Sequence, residues 1–188
     1  MKIKDHIILL IGKSGTGKTT IQNALLKKYD LKPVISYSTR APRYDGEDSH
    51  IFVSEAEYEQ MKDDMCAFTE FDGNKYWATN KQVDECDVYI IDPAGVEYFK
   101  KHYKGKKKII IIELLAQRKV RYKRMRKRGD SILSALRRLH HDKKVFANTN
   151  AMVTINANIN NVDLIATRVY DSATFVVFSK LGAVSYER

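Results

Sequence analysis

Short apolar runs alternate along the chain with segments whose apolar positions recur at helical spacing. Four consecutive isoleucines (109–112) are typical of a strand buried on both faces of a parallel sheet. Strands are predicted at Lys4–Ile11, Val34–Tyr37, Val88–Ile91, Lys108–Leu114 and Met152–Ile155. Helices are predicted at Lys18–Lys28, Pro93–His102, Ala116–Lys127, Ser131–Phe146 and Val162–Asp171. This alternation indicates an α/β fold of three layers, in which a parallel sheet carries helices on both faces.

The stretch 38–85 departs from this alternation and is interpreted as a small subdomain inserted beside the main sheet. Its two short strands and one helix are predicted at His50–Val53, Ala67–Phe71 and Ser54–Asp63. Ser54 and Glu57 form a capping-box pattern at the start of that helix. Near the end of the chain, Thr174–Phe178 favours a further strand, whose place in the sheet the pattern leaves open.

The composition fits one globular domain with a sizeable core. The chain has 188 residues, of which 44% are hydrophobic and 30% are charged, so global disorder is excluded. The first apolar run is too short for a signal peptide, and no stretch reaches the length of a transmembrane helix. Cys66 and Cys86 have no metal-ligand spacing, so reduced thiols and a cytoplasmic location are expected.

Positive charge is concentrated in one part of the chain. Twelve lysines and arginines lie between Arg118 and Lys144, where the acidic residues are Asp130 and Asp142. This local excess equals the net charge of +10 of the whole chain. Charge alone leaves three interpretations open: a solvated helix face, a nucleic-acid-binding helix, or a cationic lid over a polyphosphate.

Residues 12–19 match the complete phosphate-binding loop pattern G-x-x-x-x-G-K-[ST]. The pattern follows an apolar strand and precedes a helix, so backbone N–H groups and the helix dipole would form an anion cradle. The lysine would reach the outer phosphates, and the Thr19 hydroxyl would ligate Mg²⁺. The residues predicted to bind ATP are Gly12, Ser14, Gly15, Thr16, Gly17, Lys18, Thr19 and Thr20.

A second motif with phosphate-binding chemistry occupies residues 36–43, which read SYSTRAPR. Arg40 and Arg43 are three residues apart, and Pro42 disfavours a continuous helix between them. Two guanidinium groups at this spacing can grip one phosphate monoester. A solvent-facing basic loop is the alternative interpretation.

Taken in order, these motifs resemble those of guanylate kinases. The resemblance extends to about Asn156 and includes EFDGNKY at 70–76, the strand end Ile91-Asp92, and the basic stretch 124–131 followed by Arg138. In such enzymes the main sheet holds ATP with Mg²⁺, an inserted subdomain holds GMP, and a helical lid closes over both. The resemblance implies a core at 1–37, 86–115 and 145–188, a GMP-binding subdomain at 38–85, and a lid at 116–144.

The resemblance also implies roles for individual side chains. Those implied in GMP binding are Ser36, Arg40, Arg43, His50, Glu70, Tyr76, Thr79 and Asp92. The carboxylate of Glu70 suits guanine, whose N1–H and N2–H₂ donors lie side by side. For Asp92, a helix N-cap before Pro93 is the alternative role. Those implied in phosphoryl transfer are Lys18, Arg43, Arg124, Arg128 and Arg138.

The chain departs from the family pattern in the acceptor region and in the lid. His50 stands where the family has a tyrosine that contacts the acceptor phosphate, and Ala78 stands where a hydroxyl residue helps to read guanine. Thr79 is the expected substitute for that hydroxyl. Ile132 and Leu133 replace an acidic pair of the lid. These differences bear on guanine selection more than on phosphoryl transfer.

The motifs together indicate an ATP-dependent kinase that phosphorylates GMP or dGMP, with Mg²⁺ as cofactor, as a monomer or homodimer. One alternative is a related kinase with a sugar-phosphate acceptor such as ribose bisphosphate. Another is a non-catalytic guanylate kinase-like interaction module, which the presence of Lys18 and Thr19 disfavours. Neither a nucleic acid nor a membrane is an expected partner.

Overall fold

A computed structural model of the chain describes residues 3–42, 44–71 and 73–183. The main sheet contains four parallel strands in the order β6-β1-β7-β8. Their bounds are His6–Ile11 (β1), Val88–Ile90 (β6), Lys108–Leu115 (β7) and Val153–Asn156 (β8). β1 and β7 pair along their length, from His6 opposite Lys108 to Ile11 opposite Glu113. The two most apolar strands therefore lie at the centre of the sheet.

Helices cover both faces of this sheet, which explains why its central strands carry no polar face. Ile8 and Leu10 of β1 point into a core that includes residues of α1 (Lys18–Tyr29) and α7 (Val162–Ala183). Ile7, Leu9 and Ile11 point into a second core, which includes residues of α4 (Pro93–His102). The predicted three-layer α/β fold is confirmed.

A second, smaller sheet has the strand order β3-β2-β5-β4. Its strands are Tyr37–Ser38 (β2), Ile51–Phe52 (β3), Met65–Phe71 (β4) and Asn74–Thr79 (β5), and the associated helices are Glu55–Met61 (α2) and Asn80–Asp84 (α3). The predicted capping box is present. Ser54 Oγ accepts from the backbone N–H of Glu57 at 3.2 Å, and the Ser54 N–H donates to Glu57 Oε2 at 2.7 Å.

Three expectations about secondary structure differ from the observed elements. The predicted strand 34–37 is reduced to a bridge between Pro33 and Val88, and its last residue belongs to β2. β5 was not among the predicted strands. The strand predicted at 174–178 is wrong, because these residues continue α7. Their helical state follows from packing, since Ile165, Val169, Ala173 and Val177 recur every four residues and are all buried in the core.

The basic segment folds into two helices, α5 (Arg118–Lys127) and α6 (Ile132–Val145). They share a small apolar core of Met125, Ala135 and Leu139, with Tyr122 packed against it. Ser131 caps α6 by accepting from the N–H of Ser134 at 3.1 Å. Across the described ranges, no helix has both the length and the apolar composition needed to span a bilayer.

Candidate functional site

The phosphate-binding loop joins β1 to α1 and lies directly against the backbone of α5. Gly15 has a φ of 78°, which side chains other than glycine rarely adopt. A Cβ atom at this position would lie 2.7 Å from the carbonyl oxygen of Arg121. Thr16 is buried, and its hydroxyl donates to the carbonyl oxygen of Lys13 at 2.8 Å, which closes the turn. Glycine at position 15 is thus required both by conformation and by space.

Lys18 is the half-buried cation of the loop. Its Nζ donates to the carbonyl oxygen of Gly12 at 2.5 Å. Burial lowers the pKa of Lys18 to about 8, although the carboxylates of Asp142 and Asp92 act in the opposite direction. An anion placed beside Nζ would compensate for this desolvation and hold the lysine in its protonated form.

The loop separates two cavities that share Ser14 and Lys18. The first, which we call the loop cavity, has a volume of about 430 Å³ and lies between the loop, the start of α1 and the arginines of the lid helices. The second, which we call the sheet cleft, has a volume of about 520 Å³ and lies between the loop, the end of β6 and the second sheet. Lys18 is therefore placed to contact ligands in both cavities.

Most of the predicted ATP-binding residues surround the loop cavity. Those that line it are Ser14, Gly15, Thr16, Gly17, Lys18, Thr19 and Thr20. Gly12 lines the sheet cleft instead. In the described part of the chain, no cluster of three His, Cys, Asp or Glu side chains is arranged to hold a metal ion. The hydroxyl of Thr19 at the loop cavity fits a Mg²⁺ ion whose other ligands come from phosphates and water.

The three predicted lid arginines, Arg124, Arg128 and Arg138, all line the loop cavity. Arg124 Nη1 donates to the carbonyl oxygen of Thr16 at 3.2 Å, so this guanidinium is held against the loop. Arg128 forms an ion pair with Asp130, at 2.7 Å between Nε and Oδ2. Three guanidinium groups thus converge on the cavity that the phosphate-binding loop encloses.

The polar side of the sheet cleft is formed by Ser36, His50 and Tyr76. Ser36 Oγ and His50 Nδ1 are hydrogen-bonded at 2.9 Å. The His50 ring meets the Tyr76 ring edge to face, with their centroids 5.2 Å apart. Three of the predicted acceptor-binding residues are therefore brought together in one wall of the cleft.

Arg40 is held beside this wall by an ion pair. Its Nη2 lies 2.8 Å from Glu47 Oε1, and its guanidinium stacks over the Phe52 ring at 5.0 Å. The hydrogen bond to Glu47 raises the pKa of Arg40, with smaller contributions from the Tyr76 hydroxyl. Arg43, the second arginine of the predicted pair, lies outside the described residues.

Glu70 lies on the face of the second sheet opposite to the cleft. In the β4–β5 ladder Thr69 pairs with Tyr76, whereas Glu70 pairs with Lys75. Because successive side chains in a strand alternate between faces, Thr69 and Tyr76 face the cleft and Glu70 faces away from it. Glu70 is exposed there. Glu70 does not line the cleft in this structure, and its role at guanine stays a prediction.

The side chain of Thr79 points away from the sheet cleft, because side chains also alternate between the two faces along β5. Its hydroxyl accepts from the N–H of Gln82 at 3.2 Å and so caps α3. Thr79 does not line the cleft in this structure, and its role as a substitute for the missing hydroxyl of Ala78 stays a prediction. Ala78 shares the cleft-side face with Ala67, its partner across the ladder, and both are buried in the apolar core beneath the cleft.

Asp92 takes the helix N-cap position considered for it and also lines the sheet cleft. It follows β6 directly, and its Oδ1 accepts from the N–H of Gly95 at 2.6 Å, which caps α4. The same residue lines the sheet cleft at the carboxyl end of the parallel strands, where open α/β sheets bind ligands.

Sequence reasoning missed the contact that joins the lid to the loop. Asp142 of α6 accepts from the Ser14 N–H at 2.9 Å and from Ser14 Oγ at 3.2 Å. It also forms a buried ion pair with Arg121 of α5, at 2.7 Å. Asp142 is one of two acids in a segment with twelve basic residues, and this rarity was the available signal. We call this contact the lid tether.

The geometry agrees with comparisons with known proteins. A family model described as AAA domain (AAA_18) matches residues 8–137, which include the phosphate-binding loop and most of the lid. The chain belongs to the AAA domain family. The matched segment contains the phosphate-binding loop, Arg124 and Arg128. Arg138 and the α6 residues that line the sheet cleft lie just beyond its end.

Curated relatives of the chain include guanylate kinases. The guanylate kinase of Pseudoalteromonas translucida is 35% identical over 102 residues, which cover 51% of this chain and 47% of that protein. The guanylate kinase of Onion yellows phytoplasma is 28% identical over 139 residues, which cover 67% of this chain and 65% of that protein. The chain thus spans about half to two thirds of these relatives. The resemblance to guanylate kinases is confirmed.

A solved structure supports the same fold. The guanylate kinase of Anaplasma phagocytophilum superimposes with a TM-score of 0.56, covering 90% of this chain and 85% of that chain, at 17% sequence identity. At this identity the likeness concerns the fold of the AAA domain and carries no information about its acceptor.

Proposed function

We propose that this chain transfers the γ-phosphoryl group of ATP to the phosphate of a nucleoside monophosphate, with GMP or dGMP as the first acceptors to test. The observation that supports this is the pair of cavities that meet at Ser14 and Lys18. A donor in one cavity and an acceptor in the other would share the same lysine. The names of the curated relatives supply the acceptor class.

In this proposal the loop cavity holds the triphosphate. Backbone N–H groups of the loop and the N-terminus of α1 bind its phosphates, and Thr19 would hold Mg²⁺. A bound Mg²⁺ would supply positive charge at the phosphates. Lys18 contacts the outer phosphates, while Arg124, Arg128 and Arg138 bring positive charge from the lid. Closure of the lid helices would exclude water from the transferred group.

The sheet cleft holds the acceptor in the same proposal. Arg40 and Tyr76 lie beside each other at its edge and bind the acceptor phosphate, with His50 as a further contact. Arg43, outside the described residues, remains a proposed second arginine. Because the acceptor phosphate is already an anion at neutral pH, the reaction needs alignment and charge neutralisation rather than a strong general base.

The proposal is tested by incubating the purified chain with ATP, Mg²⁺ and a nucleoside monophosphate, and by following ADP and the nucleoside diphosphate formed. Arg138→Ala removes a guanidinium from the loop cavity and is expected to lower kcat by ~10²-fold. Arg137→Ala removes the neighbouring exposed arginine, which lines neither cavity, and serves as the matched control with unchanged kcat. Lack of transfer to every nucleoside monophosphate, with ATP binding intact, would overturn the proposal.

A further inference from the structure

The deep wall of the sheet cleft is apolar where a base would lie. Ala67, Tyr89, Ile91, Val145 and Phe146 line it, and the first three are at most 9% exposed. Ala78 lies behind Ala67 on the same side of the β4–β5 ladder. Apart from the Tyr89 hydroxyl, these side chains can pack against any base but cannot accept a hydrogen bond from one.

The carboxylates within reach of the cleft are already engaged. Among the described residues that line it, the acids are Asp92 and Asp142. Both oxygens of Asp142 accept hydrogen bonds in the lid tether. One oxygen of Asp92 accepts from Gly95 in the cap of α4. Guanine presents two adjacent donors: Asp142 could accept them only by giving up its present partners, and in Asp92 one oxygen is already committed to the cap of α4.

The other polar side chains that line the cleft are Lys18, the imidazoles of His50 and His141, and several hydroxyls, and none of them presents two fixed acceptors side by side. Ser36 and Thr69 line the cleft, and each hydroxyl can rotate to donate or to accept. Such groups can satisfy the donor edge of one base and the acceptor edge of another. A site of this kind differs from one built around a fixed carboxylate, which rejects bases that lack the matching donors.

We propose that the sheet cleft selects nucleoside monophosphates by their phosphate and by apolar contact with the base, with little discrimination between guanine and other bases. This inference rests on the proposed function and narrows it. Apolar pockets discriminate between similar ligands by only ~10- to 200-fold, whereas matched hydrogen-bonding sites reach ~10⁴-fold or more. The expected kcat/KM values for GMP, AMP, CMP and UMP therefore lie within ~200-fold of one another.

The first experiment measures kcat/KM for these four nucleotides and for ribose 5-phosphate, with ATP and Mg²⁺. The four nucleotides are expected to react within that range, and ribose 5-phosphate more slowly because it lacks the apolar contact of a base. A preference of ~10³-fold or more for GMP would overturn the inference while leaving the proposed function intact. Equal reaction of ribose 5-phosphate would overturn the claimed base contact. No transfer to any nucleotide would instead overturn the proposed function.

A second experiment moves a carboxylate between the faces of β4. Thr69→Glu places one on the cleft side at an exposed position, so folding is preserved, and the GMP to AMP ratio of kcat/KM is expected to rise ~10-fold or more. Ala67→Glu tests the deeper position. Glu70→Gln, on the opposite face, is the matched control and leaves the ratio unchanged. A clear change of this ratio in Glu70→Gln would contradict the assigned face and the inference with it.

Discussion

The lid tether is open to a direct test through Asp142→Ala. The wild-type carboxylate is 4% exposed and receives hydrogen bonds from the Ser14 N–H, from Ser14 Oγ and from Arg121 Nη1. Truncation leaves the guanidinium of Arg121 buried without its counterion. The Nε of Arg121 already lacks a hydrogen-bond partner among the described atoms, so this atom makes no contact that could replace the lost carboxylate.

The magnitude follows from this geometry. Removing one partner of a buried ion pair costs ~3–5 kcal/mol of folding free energy, because an uncompensated buried charge remains. Arg121 Nη1 keeps one contact, to the carbonyl oxygen of Ser14 at 3.3 Å, so we expect the lower end, about 3 kcal/mol. For a chain of 188 residues this corresponds to a fall in Tm of roughly 6–12 °C.

Thermal and urea unfolding measure the effect, and hydrogen exchange shows whether it is localised to α5, α6 and the loop. Asp130→Ala is the matched control, since it removes the other acid of the segment from a pair whose arginine is half exposed; it is expected to cost less than ~1 kcal/mol. The double variant Arg121→Met with Asp142→Leu removes both charges and is expected to recover most of the stability. Equal losses in Asp142→Ala and Asp130→Ala would refute the reasoning.

Three further predictions concern the loop and the cleft. ATP affinity is expected to fall as the pH rises through about 8, because Lys18, with its lowered pKa, loses its proton there in the empty site and must regain it when ATP binds. Calorimetry in buffers of different ionisation enthalpy would detect this proton uptake, and Lys18→Met would abolish the uptake. Gly15→Ala is expected to weaken ATP binding and to lower the free energy of unfolding. Gly46→Ala, at the same φ of 78° but in open space, is expected to cost only backbone strain of ~1 kcal/mol. Equal losses of unfolding free energy in the two variants would contradict the steric argument. Asp92→Ala is expected to lower the free energy of unfolding by ~1 kcal/mol through loss of the α4 cap, and Asp92→Asn to retain it, since asparagine caps helices equally well.

The local motifs could be predicted from the sequence because neighbouring residues determine them. The loop pattern, the strand before it and the helix after it are contiguous, and the capping box of α2 spans four residues. The end of α7 could not be predicted in this way. Phe175 and Val176 favour a strand locally, but burial of every fourth residue against the main sheet decides for a helix.

The orientation of Glu70 depends on register, which a list of residue types does not contain. β4 and β5 are joined by two residues between Phe71 and Asn74, and this short connection fixes which residues face one another. A shift of one residue would turn every side chain of β4 to the opposite face. The Asp72-Gly73 pair in the sequence is a strong hairpin signal, and applied strictly it would have assigned Glu70 to the side of Lys75.

The basic segment illustrates why charge alone could not decide between its interpretations. Two of its arginines have different contacts although they are close in sequence. Arg121 is the counterion of the buried Asp142, and Arg124 donates a hydrogen bond to a backbone carbonyl of the loop. A nucleic-acid surface would require these groups to be exposed together, whereas a cationic lid requires them to converge on the loop cavity. Their convergence supports the lid. Because Asp142 tethers the same helices to Ser14, this contact couples the position of the arginines to the conformation of the loop.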